Sequence, residues 1–372
     1  MIKILMVTPF YYPTTIGGTE SFIEAVSTEL NQTETHADIM TFGLPRLNLR
    51  REEINNLSVI EVPARVHARI LGRTFQINFI PLARFENLYK TYDIVHFHND
   101  ADMTFPAFSR FASNPKIMHC HCLVTGTYKI YKRNFLSRQL LKRVADIYIA
   151  TSEYMAWMLS DLGVPKTKIR IVPIAINVDQ YRSAISEKIE NLLLFVGRLD
   201  PKKGLHILLK SLDYLKIPVR LVIIGPRSWD VEYSDKILSL IEKTQQKSFH
   251  ELTYLGAINR KELIKWYQKA SLLIRPDTIG ASSGMTSLEA LACATPVIGT
   301  GNEEGLVIIK NGVNGILVPP NNPIKLAQEI SYLLDSNETR RRFGAEGRRF
   351  IASNFSTKIV AQKLLKIYEE II

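Results

Sequence analysis

Short aliphatic runs alternate with helical patterns along the whole chain, and the alternation starts twice. The first series is IKILMV (2–7), ADIM (37–40), LSVIEV (57–62), DIVHFH (93–98), KIMHCH (116–121), DIYIAT (146–151) and KIRIV (168–172). Strand-like runs separated by helices make β-α units, whose strands pair in parallel because the crossover returns the chain to the same end of the sheet. After a polar stretch around Asn177 to Glu190 the pattern resumes with LLLFVG (192–197), VRLVIIG (219–225), LTYLG (252–256), SLLIRP (271–276) and TPVIG (295–299). The expectation is an α/β chain of two similar halves, 1–178 and 186–355. The last helix, opening at Ser356 with the apolar stripe Ile359, Leu364, Ile367 and Ile371, must cover one of them. Two such sheets facing across a cleft bind ligands at the carboxyl ends of their strands, so residues just after strands carry the argument.

Composition narrows the class. At 372 residues, 46% hydrophobic and 22% charged, the chain has material for two cored domains of about 150 residues each and is neither disordered nor low in complexity. No apolar run reaches the roughly 18 residues of a membrane span, and MIKILMVTPFYYP is too short in its apolar part to be a secretory signal. Cys120, Cys122 and Cys293 are too few and too unevenly spaced for a disulfide framework. A cytoplasmic protein is expected. The net charge of +11 is concentrated: residues 64 to 143 hold 13 Lys or Arg against 4 Asp or Glu. Within that span Lys129 to Arg143 interleaves Lys132, Arg133, Lys142 and Arg143 with Ile130, Tyr131, Phe135, Leu136 and Leu140. Such a stretch either lies on an anionic membrane or is a solvated helix face whose apolar side packs inward. No nucleic-acid-binding motif accompanies the charge.

Three loops and one histidine group stand out. Gly17 and Gly18 follow the first strand and precede a helix, where backbone N–H groups can approach a phosphate. VGRLDPKKG (196–204) follows the first strand of the second half, and its Arg198 and Lys203 suit one dianionic group, a planar fork beside a compact charge. In IRPDTIGASSGMTSLEALACATPVIG (274–299) small residues open a helix carrying Glu289. That carboxylate is either a partner for a ribose diol or an exposed group on a helix capped by Ser282, Ser283 or Thr286. His96, His98, His119 and His121 cluster in two strands; alternation sets His119 and His121 opposite Cys120 and Cys122, so HCHC is a poor zinc ligand set and a hydrogen bond from a strand-end histidine to a sugar hydroxyl is favoured.

In this order the segments resemble the retaining nucleotide-sugar glycosyltransferases of the GT-B fold, in particular glycosyltransferase family four. The likeness covers nearly the whole chain: Pro13, Gly17 and Gly18; DIVHFH; ADIYIATSEYM (145–155); VPIAINVDQY (172–181); GRLDPKKG; YLGAINRKEL (254–263); GMTSLEALACATPVI and NGVNGILVPP (311–320). The resemblance implies an N-terminal Rossmann-like acceptor-binding domain completed by helix 356–372, and a C-terminal nucleotide-sugar-binding domain. It implies that Arg198 and Lys203 hold the donor diphosphate and stabilise the leaving nucleoside diphosphate. Gly17 and Gly18 would meet the donor phosphate and sugar, and Gly284, Met285 and Thr286 would offer backbone N–H groups. Glu289 would bind the ribose, Gly256 and Ile258 would lie near the base, and the family histidine matches His121, with His119 as the near alternative. No metal or organic cofactor is implied.

The sequence departs from the family in three ways: Ser283 stands for the usual aromatic and Ala294 for the usual Gly after Cys293, Ile174-Ala175 replaces Asn-Gly in the connection between the halves, and the first carboxylate of the family's Glu pair is missing. Eight residues before Glu289, where the family places a first Glu, stands Ala281; its task is lost, supplied by Asp277, or unnecessary for this sugar. The leading expectation is therefore hexose transfer from a nucleoside-diphosphate sugar to a glycan or lipid-linked acceptor, at the cytoplasmic face of a membrane if the basic surface sits there. The competing reading, motivated by Ala281, is a nucleotide-sugar-binding regulatory or partner subunit without turnover.

Overall fold

The computed structural model describes residues 1–8, 11, 18–43, 49–63, 65–70, 73–78, 86–98, 112–121, 125–183, 188–228, 230–278, 284–301 and 303–372. The chain forms two compact units, Met1–Ala175 with Thr357–Ile372, and Ile176–Ser356.

The first unit is built on β1 (Ile2–Thr8), β2 (Thr35–Gly43), β3 (Arg50–Ile54), β4 (Leu57–Pro63), β5 (Arg65–Ile70), β6 (Arg73–Asn78), β7 (Ile94–His98), β8 (Lys116–Cys120), β9 (Ile147–Ala150) and β10 (Ile169–Ile171). Eight of these make one sheet in the order β10-β9-β8-β7-β1-β2-β4-β3, parallel except where β3 returns against β4. The order reverses at β1, which lies between β2 and β7. β5 and β6 pair as a separate antiparallel hairpin. Strand alternation sorts the side chains. Leu5, Val7, Val95, Phe97, Met118, Cys120 and Tyr148 enter one apolar core. Met6, His96, His98 and His119 take the other face, where Phe22 of the helix Gly18–Leu30 and Tyr368 of the C-terminal helix Thr357–Ile371 meet the histidine rings. The C-terminal helix also packs along Gly18–Leu30, burying Val360, Leu364, Ile367 and Tyr368.

The second unit contains β11 (Leu192–Val196), β12 (Arg220–Ile224), β13 (Glu251–Gly256), β14 (Leu272–Arg275), β15 (Val297–Thr300) and β16 (Gly315–Val318). They form one parallel sheet in the order β13-β12-β11-β14-β15-β16. This is the doubly wound order with its reversal between β11 and β14, and a crevice opens beyond the carboxyl ends of the strands at such a point.

Several details differ from the sequence reading. β3, the β5–β6 hairpin and β16 carry too little contiguous aliphatic character to stand out. The boundary falls at Ala175/Ile176 rather than after 178, because the backbone N–H of Ile176 donates to Phe355 O at 2.8 Å and the Tyr181 hydroxyl donates into the second unit. Lys203 lies in a short 3-10 turn, Pro201–Lys203, ahead of the helix Leu205–Leu212. Among the described residues no helix is long and apolar enough to cross a membrane.

Candidate active site

The two loops at the reversal of the second sheet are stitched to each other. Thr278 donates from its backbone N–H to Lys202 O at 2.9 Å and from Oγ1 to Pro201 O at 3.2 Å. Gly204 permits the approach. Its φ is +68°, and a Cβ there would lie 1.9 Å from Pro276 O, so any side chain would separate the loops. Asp200 caps the turn by accepting from the Lys202 N–H at 2.9 Å.

Beneath these loops sits a buried charge cluster. Asp277, 2% exposed, faces Lys203 Nζ at 3.6 Å through Oδ1 and Arg275 Nε at 2.5 Å through Oδ2. The Arg275 contact is a charge pair rather than an aligned hydrogen bond; its guanidinium also donates to Ser287 Oγ at 3.1 Å, on the helix Met285–Ala292. The Asp277 carboxylate thus stands between two cations at the place where the fold binds ligands. Arg198 lies on the same loop as Lys203 with its side chain exposed. Arg275 was not legible as a site residue because it reads as the end of a buried strand.

The helix Met285–Ala292 starts at Gly284, in the left-handed region at φ +67° with no side-chain cap. A Cβ on Gly284 would lie 2.2 Å from Ile308 Cδ1, so a side chain there would have to displace the end of Ile308 as well as adopt the left-handed backbone. Met285 is buried and Thr286 half-buried. Gly256 ends β13 at the sheet edge, where its carbonyl accepts from Gly225 N–H at 2.8 Å, and Ile258 is half-buried in the following turn. Gly17 and Ala281 lie outside the described residues, as do Ser282, Ser283 and Cys122. Gly18 opens the helix Gly18–Leu30 after β1.

Glu289 is not the exposed group of a capped helix. It is buried, with Oε1 accepting from the Tyr181 hydroxyl at 2.8 Å and Oε2 from the Tyr267 hydroxyl at 2.7 Å. Arg260 Nε donates to the Tyr181 hydroxyl at 3.2 Å. Burial raises the Glu289 pKa above the ordinary carboxylate value, opposed by the two tyrosine hydrogen bonds and the Arg260 charge. Each oxygen keeps a second lone pair, so the tyrosines fix the carboxylate without exhausting it.

In the first unit His96, His98, His119 and His121 are all buried. His121 follows the carboxyl end of β8 and His119 is within the strand. His98 Nδ1 and His121 Nε2 are 2.9 Å apart and share one proton.

The basic stretch is two helices. Asn134 ends Thr125–Arg133 and caps Phe135–Leu141, accepting from Ser137 N at 3.2 Å. Its apolar side chains do not all pack inward: Tyr131 and Leu141 are buried, whereas Phe135, Leu136 and Leu140 are 69%, 71% and 49% exposed. Arg133 and Arg143 are exposed beside them and Lys142 is half-buried. Lys132 pairs with Asp161 at 3.0 Å, so part of its charge is already offset.

The comparisons with known proteins agree with this architecture. The second unit matches the family described as glycosyl transferases group 1 over residues 178–350, and the first matches glycosyltransferase family 4 over residues 16–180. The O-antigen chain mannosyltransferase C of Escherichia coli is 23% identical over 391 residues, covering 99% of this chain and 98% of the relative. The phosphatidyl-myo-inositol mannosyltransferase of Mycobacterium leprae is 23% identical over 289 residues, covering 75% of this chain and 74% of that one. In structure, the chain resembles Anabaena HepE in complex with UDP and glucose, with a TM-score of 0.78 and 16% identity over the full length of both chains.

The raised Glu289 pKa has a measurable consequence. A carboxyl whose pKa is higher in the folded than in the unfolded chain contributes most stability at or below its ordinary value of 4.5, and that contribution is lost as pH rises through the folded value. In denaturant unfolding, the stability of wild type minus that of Glu289→Gln is expected to fall as pH rises from 4.5. A difference independent of pH contradicts the assignment.

Proposed function

The chain belongs to glycosyltransferase family 4, with the GT-B fold, and from that premise we propose that it transfers a hexose with retention from a nucleoside-diphosphate sugar to an acceptor held by the first unit. The observation that carries the reading is the linked pair of loops at the reversal of the second sheet, which bring Arg198 and Lys203 to the carboxyl ends of the strands. As the bond from the anomeric carbon to the diphosphate oxygen breaks, negative charge builds on the departing nucleoside diphosphate. Arg198 and Lys203 stabilise that charge, Asp277 and Arg275 hold Lys203 in place, and the N–H groups of Gly284, Met285 and Thr286 add the positive end of a helix dipole. In this reading the cations supply the counter-charge, and transfer uses no metal. Glu289, oriented by Tyr181 and Tyr267, accepts from the ribose hydroxyls. The resemblance assigns donor contacts in the first unit to His121, with His119 as the alternative, and to Gly17 and Gly18, and the proposal keeps that assignment. Both oxygens of Asp277 face cations, which favours an orienting task for it over the sugar-binding task left open by Ala281.

HepE is recorded with UDP and glucose, and two relatives are mannosyltransferases, so UDP- and GDP-hexoses are the donors to test first. The printed name of the M. leprae relative specifies a phosphatidyl-inositol acceptor. A lipid-linked acceptor at an anionic membrane surface is the proposal for this chain too. It is supported by exposed Phe135, Leu136 and Leu140, which can enter the interface while Arg133, Lys142 and Arg143 meet headgroups.

Two measurements test the proposal. Proton NMR with UDP-, GDP- and ADP-sugars and a lipid extract reads nucleotide release and product anomer together. Arg198→Ala and Lys203→Ala are each expected to lower turnover about 10²-fold with the fold intact, the magnitude for loss of one preorganised charge-stabilising donor. Unchanged turnover in both removes the phosphate assignment, and nucleotide binding with no turnover from any donor moves the reading to a binding subunit. In vesicle sedimentation, Arg133→Gln, Lys142→Gln and Arg143→Gln should each weaken binding to anionic vesicles by about 1 kcal/mol, and Lys132→Gln by less because Asp161 already faces it. Vesicle binding indifferent to these changes and to salt removes the membrane.

A further inference from the structure

We infer that the buried histidines of the first unit form a binding site for a divalent transition-metal ion, with His96, His98 and His119 as ligands. The site stands on the first unit alone and does not depend on the donor chemistry proposed above. β7 and β8 are adjacent and parallel, with His98 in register with His119, so His96 and His98 of β7 share a face with His119 of β8, and His121 just beyond the strand joins them. The cluster is therefore made across strands. Ligand spacing along the chain, HCHC, concealed it, since Cys120 faces the opposite core.

The hydrogen bonding of the cluster is incomplete in one direction only. Among the described residues His96 Nε2 and both nitrogens of His119 have no partner, although all are buried. Burying such groups unsatisfied is costly, and three in one place call for an occupant. The other nitrogens of two of the rings are held. His96 Nδ1 is 2.7 Å from the Tyr368 hydroxyl, and His98 Nδ1 is 2.9 Å from His121 Nε2. This is the outer-shell arrangement by which metal-binding histidines are oriented, each leaving Nε2 for the ion. Among the described residues His98 Nε2 meets the Met6 thioether, a weak acceptor, at 3.3 Å.

One ligand atom from each of His96, His98 and His119 lies within 4.8 Å of the other two. Zinc–nitrogen bonds of about 2.0–2.1 Å in a tetrahedron need nitrogens about 3.3 Å apart, so the rings must turn inward. They now lie nearly stacked, with 8° between His96 and His119 and 30° between His98 and His119. Binding therefore rotates them about their side-chain torsions. Three imidazoles beside a thioether suit zinc and its borderline neighbours, not magnesium or calcium. The bound ion would join β7 to β8 and, through Tyr368, to the C-terminal helix.

The test uses the full chain, stripped with chelator, dialysed and titrated with Co²⁺ as a visible probe of the zinc site. One equivalent is expected to produce ligand-field absorption and to displace the imidazole proton resonances of the clustered histidines, and Zn²⁺ should abolish the absorption by competition. His96→Gln and His119→Gln should lose the absorption, whereas His36→Gln, at an exposed histidine outside the cluster, keeps it. Should the two cluster variants fail to fold, the wild-type resonances decide. Co²⁺ that leaves those resonances unmoved, or that binds His119→Gln as it binds wild type, overturns the site and assigns the space between the rings to water.

Discussion

The placement of Asp277 between Lys203 and Arg275 is the interaction on which the candidate site depends. Arg275 and Asp277 are buried together, and removing one member of such a pair costs about 3–5 kcal/mol because its partner is left charged and dry; half-exposed Lys203 joins the pair from the facing loop. The consequence is positional. Lys203 belongs to the loop after β11 and Asp277 to the loop after β14, and their attraction, with the Thr278 hydrogen bonds and the close approach at Gly204, locks the two loops together at the reversal of strand order. An anion arriving there meets cations already oriented, which is the condition for electrostatic stabilisation without reorganisation. Arg198 is exposed on the same loop as Lys203.

The two units solve the same burial problem with different polar contents. In the second, the polar groups inside are paired: Glu289 with two tyrosines, and Arg275 with Asp277 and Ser287. In the first, a face that would ordinarily be aliphatic holds four imidazoles under Phe22 and Tyr368. Imidazole buries as a flat neutral ring only when both nitrogens find partners, and the cluster meets that condition only in part among the described residues.

Much of this was legible in the sequence, and the omissions share a cause. The alternation of apolar runs gave the parallel sheets because buried parallel strands are written as continuous aliphatic stretches. Arg198, Lys203 and Gly284 were found because loops after strands carry unusual residues at fixed offsets. What required side chains from distant segments was not legible. Tyr181 and Tyr267 reach Glu289 from 108 and 22 residues away, and His96 meets His119 only because β7 and β8 are neighbours. The Lys129–Arg143 stretch read as one amphipathic segment because its periodicity continues through Asn134, whereas Asn134 caps a new helix and turns Phe135, Leu136 and Leu140 outward.

The central claim, that the reversal between β11 and β14 is a nucleoside-diphosphate site, is tested most directly by amide hydrogen exchange with and without UDP or GDP. The account predicts that one of the nucleotides slows exchange in 197–204, 276–278 and 284–289 together, since these segments form the linked loops and the helix start. Exchange unchanged in all three with every nucleoside diphosphate, or slowed only elsewhere in the chain, would contradict it.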